Sequence, residues 1–87
     1  MSKVDNTIKA LSLIGFCVRV REDADGVIAY KVLFHPHGID KTLYEVTQSY
    51  TPTWFEEHVD PDACVAEAIF HCATKILKAI AEELGER

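Results

Sequence analysis

Phe16-Cys17-Val18-Arg19-Val20-Arg21-Glu22, then Asp23-Ala24-Asp25-Gly26, then Val27-Ile28-Ala29-Tyr30-Lys31-Val32-Leu33-Phe34 is the segment on which the architecture turns. Phe16, Val18 and Val20 alternate with Cys17, Arg19 and Arg21, the period of two that a half-buried strand requires. Asp23-Ala24-Asp25-Gly26 reads as a hairpin turn in which Gly26 supplies a positive φ. A second strand from Val27 to Phe34 sets Ile28, Tyr30, Val32 and Phe34 on one face and Val27, Ala29, Lys31 and Leu33 on the other. His35-Pro36-His37-Gly38 interrupts it, because Pro36 has no amide to give a ladder. A third strand is expected from about residue 41 to Tyr50, with Tyr44, Val46 and Tyr50 facing inward and Leu43, Glu45, Thr47 and Ser49 outward. Short connections make the three strands antiparallel neighbours.

On either side of this sheet the period changes to helical. Ser2 and Asp5 have the spacing of a capping signal, Val4, Ile8 and Leu11 recur on one face, and Gly15 is placed to end a helix over residues 3–14. At the other end Asp60 is a good N-cap, Pro61 suits the first helical position, and Asp62 favours the positive end of the dipole. Val65, Ile69, Cys72, Ala73, Ile76, Ile80 and Leu84, widened by Ala66, Phe70 and Leu77, give that helix an apolar arc of roughly 160°. Gly85 ends it. Residues 51–59 read as an irregular crossing that carries Trp54 and Phe55. The expected fold is α+β: a three-stranded antiparallel sheet with two helices on one face, in the order α-β-β-β-α. Both helices cover the Phe16/Val18/Val20 face, and no element remains for the other.

Eighty-seven residues, 48% hydrophobic and 26% charged, make one domain over residues 1–87. A domain this small buries only about 60% of its unfolded surface and gains much from a partner. No apolar run approaches the ~20 residues of a membrane span. The N-terminus lacks the features of a signal peptide, so a cytoplasmic location is expected. Cys17, Cys64 and Cys72 are odd in number and show no CxxC spacing. Each falls in an apolar pattern, as reduced, partly buried small residues do.

The net charge of −5 is unevenly placed. Residues 1–55 balance, whereas residues 56–87 carry eight acids against Lys75, Lys78 and Arg87. Such a surface repels phosphate backbones and attracts basic ones. The element order is also that of the double-stranded-RNA-binding domain, which grips phosphate with a lysine-rich start to its last helix. Here that position reads Asp60-Pro61-Asp62-Ala63-Cys64, so the likeness stops at topology and no nucleic-acid partner is expected.

No enzyme, metal site or cofactor is expected either. His35 and His37 flank Pro36, but two ligands do not make a site, and Cys64 and His71 lie two helical turns apart. Cys64 sits in a helix's first turn, where the dipole activates a thiol, yet Asp60, Asp62 and Glu67 oppose that effect. No phosphate loop, nucleophile elbow or paired-carboxylate motif occurs. Protein binding is what remains. Arg19, Arg21, Lys31 and Glu45 mark the uncovered sheet face. Trp54, of a residue type that anchors interfaces, and the acids Glu56, Glu57, Glu67 and Glu82 mark the helical side. A homodimer pairing through the open sheet face or a strand edge is the alternative.

Leu13-Ile14-Gly15-Phe16, the strand Ala29-Tyr30-Lys31-Val32-Leu33-Phe34 and the helix Ala63-Cys64-Val65-Ala66-Glu67-Ala68-Ile69 together resemble the small αβββα proteins of phages and mobile elements, including the phage alpha-beta-alpha sandwich type. In size and acidity the chain is also similar to anti-CRISPR proteins. The resemblance implies a phage-derived inhibitor in the cytoplasm of a bacterial host, occupying a basic surface on a defence complex.

Overall fold

In the computed structural model, which describes residues 2–34 and 44–85, the sheet is built as the alternation requires. Strands β1 (Phe16–Glu22), β2 (Ile28–Phe34) and β3 (Tyr44–Tyr50) form one antiparallel sheet in the order β1-β2-β3. Phe16 lies opposite Phe34 and Val18 opposite Val32, while Val32 also faces Val46 across the other ladder. The β1–β2 connection is a tight turn closed by a bulge. The Gly26 amide donates to the Asp23 carbonyl, the Asp23 amide donates to the Val27 carbonyl, and Gly26 takes φ +80°. The Asp23 carboxylate fastens the turn by accepting from the Asp25 and Val27 amides at 2.8 and 3.0 Å.

Helix α1 (Lys3–Ser12) is capped as its sequence implies, with the Ser2 hydroxyl accepting from the Asp5 amide at 3.0 Å. It ends two residues earlier than the expected boundary. The amides of Leu13, Ile14 and Gly15 reach back three residues, and Gly15 then reverses the chain at φ +102°. Helix α3 (Pro61–Gly85) starts where expected, its N-cap Asp60 accepting from the Ala63 amide at 3.2 Å.

The segment expected to be irregular contains a helix, α2 (Pro52–Glu57), and the expectation is corrected accordingly. Thr51 accepts from the Trp54 amide and Pro52 occupies the first turn. This is the same cap-then-proline device as Asp60-Pro61, on a helix too short to show periodicity. The order α-β-β-β-α therefore holds, with α2 set in before the last helix.

Leu11, Phe16, Tyr30, Val32, Tyr50, Val65, Ile69, Cys72, Ala73 and Ile76 form the core between helices and sheet. Four expectations of burial are corrected. Val20 was expected inside but is 55% exposed. It lies on an edge strand, and α1 packs more closely on α3 than on β1. Phe70, Leu77 and Leu84 were placed on the buried arc but are 60%, 46% and 61% exposed. Phe70 and Leu77 directly follow the buried Ile69 and Ile76, about 100° further round the helix and so at the margin of the arc, and Leu84 lies in the last turn of α3. Leu33 was expected on the uncovered face but is only 4% exposed, between Cys17 and Glu45 on the neighbouring strands. Cys17 and Cys64 are exposed rather than partly buried, because one lies on the helix-free sheet face and the other on the solvent side of α3; Cys72 is buried.

Candidate interaction surfaces

The sequence marks two groups of residues, and the fold keeps them on opposite sides. Arg19, Arg21, Lys31 and Glu45 share the helix-free sheet face: Arg19 lies directly opposite Lys31, and Arg21 opposite Ala29. Lys31 leans toward Glu45, with Nζ 3.9 Å from Oε2. Like charges opposite one another across a ladder are unfavourable, and Glu45 relieves only one of them. Arg19 and Arg21 have no carboxylate partner among the described residues. This face is therefore a basic surface.

The helical side is acidic. Helices α1, α2 and α3 with Asp60 carry Asp5, Glu56, Glu57, Asp60, Asp62, Glu67, Glu82 and Glu83 against Lys3, Lys9, Lys75 and Lys78. Two of these acids have structural work. Asp62 reaches from the first turn of α3 to the start of α1, accepting from the Lys3 amide at 2.7 Å and the Val4 amide at 3.3 Å. Asp60 pairs with the Lys3 ammonium at 3.3 Å. Its bond from the Ala63 amide, and then the Lys3 partner, hold the Asp60 carboxyl below its ordinary value of 3.8. The sequence showed these acids as a phosphate-repelling helix start, and a long-range cap cannot be read from spacing.

Glu56, Glu57, Glu67 and Glu82 are exposed, but they are not one cluster. Glu56 and Glu57 are on α2, while Glu67 and Glu82 lie about 22 Å apart along α3. Trp54 is half-buried. Its ring lies 4.3 Å from Tyr50, 5.1 Å from Phe55 and 4.0 Å from His58, centroid to centroid. The His58 ring stacks on it, and Nδ1 donates to the Trp54 carbonyl at 2.7 Å. Trp54 thus closes one end of the core and shows only part of its ring.

What sequence reasoning missed is the exposed line Phe70, Leu77, Leu84 on α3. These residues recur every seven positions, so they follow nearly one line along the helix. At its upper end Phe70 borders an open hollow of about 400 Å³ between α1 and α3, shared with Lys3, Asn6, Thr7, Ala66 and Glu67. The signal was in the arc itself: at roughly 160° it is wider than the ~100° stripe that suffices to face a core, and Phe70 and Leu77 lie at its margin.

Among the described residues no three His, Cys, Asp or Glu side chains come together in a way that could hold a metal ion, and His35 and His37 lie outside those residues. No described helix is long and apolar enough to cross a membrane. Compared with family models, curated proteins and solved structures, the chain matches none of them.

Proposed function

We propose that this chain is a non-catalytic protein-interaction domain that docks a partner with a basic surface on its helical side. The observation that carries the reading is the exposed line Phe70–Leu77–Leu84, set in a helical layer whose carboxylates outnumber its lysines two to one. Apolar side chains that a monomer leaves exposed in a row, rimmed by polar groups, mark interaction sites, and the acidic rim selects a basic partner. The hollow beside Phe70 gives an anchoring side chain a place to enter. A phage-derived inhibitor of a host defence protein is the narrower identity, supported by the resemblance of residues 13–16, 29–34 and 63–69 to small phage proteins and by size and acidity.

The test is capture of a partner from a bacterial lysate by three forms of the chain: the parent, F70S/L77S, and a variant reversing the charges of Glu56, Glu57, Glu67 and Glu82. Retention by the parent, release by salt and loss in both variants is the expected result. Unchanged retention in F70S/L77S overturns the choice of surface, and unchanged retention after charge reversal overturns the basic partner.

A further inference from the structure

We propose that the outer edge of β1 is a second docking site, for an extended segment that alternates acidic and apolar side chains. The backbone supplies the first part of the argument. Because the Asp23 amide donates to the Val27 carbonyl, residues 23 and 27 form a hydrogen-bonded pair. Antiparallel ladders alternate bonded and non-bonded pairs. In the observed register, Arg21/Ala29, Arg19/Lys31 and Cys17/Leu33 are then the bonded pairs. The amides and carbonyls of Val18, Val20 and Glu22 therefore point away from β2, and among the described residues no strand lies there.

The side chains supply the second part. Beside that edge, Val18 and the 55% exposed Val20 face the helical side, while Arg19 and Arg21 face the open side. A strand laid along β1 sets its residues alternately next to the valines and next to the arginines. Apolar side chains gain burial at the first set. Carboxylates at the second set give Arg19 and Arg21 the partners they lack and relieve the Arg19–Lys31 apposition. The opposite edge does not offer this. Outward backbone groups on β3 belong to Glu45, Thr47 and Ser49, with no cation among them. A second copy is also a poor occupant. The two-fold antiparallel register that pairs all seven residues of β1 sets Arg19 against its own copy.

This site involves neither α3 nor a basic partner, so its test stands apart from that of the helical side. The probe is an end-capped seven-residue peptide alternating glutamate and valine, titrated into isotope-labelled chain and followed by amide resonances and hydrogen exchange. Shifts and new protection at the Val18, Val20 and Glu22 amides are expected, with a lysine–valine peptide binding at least about tenfold more weakly. R19E/R21E is expected to invert that preference. V20P removes an outward amide that the β1–β2 ladder does not use, so it is expected to keep the melting temperature and abolish binding. Equal binding of the two peptides, shifts confined to α3, or full binding by V20P overturns the proposal. So does a peptide-free dimer that V20P converts to monomer, since the edge then serves a second copy.

Discussion

Replacing Asp62 with alanine is expected to destabilise the fold by roughly 2 kcal/mol, although the residue lies in no conventional cap of its own helix. Its two carboxylate oxygens accept from the amides of Lys3 and Val4, 59 and 58 residues away, which are first-turn donors of α1 with no intrahelical acceptor. Losing a capping oxygen costs about 0.5–2 kcal/mol. Losing an anion near a helix N-terminus costs about 0.3–1 kcal/mol, and Asp62 stands near two. Partial solvent access lets water replace some of this, which keeps the sum near the middle of the range. For a domain of this size each kcal/mol lowers the midpoint by about 4–8 °C, so D62A should melt roughly 8–16 °C lower. Thermal and urea unfolding by circular dichroism measure it, with native-state exchange of the Lys3 and Val4 amides as the local readout. Asn at this position keeps an oxygen acceptor without the charge and should recover about half of the loss. A D62A protein within about 0.5 kcal/mol of the parent, the range of an ordinary surface change, refutes the cross-cap. So does a D62N protein as unstable as D62A. The docking face is affected too, because α1 lines the hollow beside Phe70.

Four further outcomes follow from particular side chains. Burial raises the Cys72 thiol above its ordinary value of 9.0, whereas Cys17 and Cys64 are exposed. Native protein should therefore take up two maleimide labels by mass and unfolded protein three; three fast labels in the native state contradict the packing of α3 on the sheet. Burial first, then nearby negative charge, raises the Tyr30 and Tyr50 hydroxyls above 10.0. A raised folded pKa gives stability that is complete below the unfolded value and lost as pH rises through the folded one, so the thermal midpoint followed by circular dichroism should start to fall above about pH 10. Asp60 behaves in the opposite sense. Its lowered carboxyl stabilises above 3.8 and loses that contribution as pH falls through the lower folded value, and D60N should flatten this acid limb. Gly26→Ala places a methyl 3.1 Å from Pro52 Cγ at φ +80°, and chemical denaturation should show a loss of about 1–2 kcal/mol. No loss there contradicts the bulged turn.

Much of the fold was legible because its signals are local. The alternation through Arg19 and Arg21, the glycine after Asp25 and the cap-then-proline at Asp60-Pro61 each act within a few residues, and each appears as expected. Thr51-Pro52 carried the same local signal, but six residues are too few to display a helical period. What remained hidden depends on distance in space. Asp62 finds its acceptor role only because α1 is folded beside it. Phe70 and Leu77 belong to the margin of the apolar arc, and only the packed fold shows that burial stops at Ile69 and Ile76 beside them. Val20 obeys the strand period, yet an edge position and the lean of α1 toward α3 expose it. Of the marked site residues, the four on the sheet do share a face. The acids do not gather, because helical spacing places Glu67 and Glu82 at separate heights.

The central claim is that the line on α3 is covered by a foreign partner and not by a second copy. Light scattering across a concentration series, on the parent chain and on F70S/L77S, tests it most directly. The account predicts a monomer of 9.8 kDa for both at every concentration. A parent dimer that F70S/L77S returns to monomer would contradict it, because the line would then be closed by the chain itself.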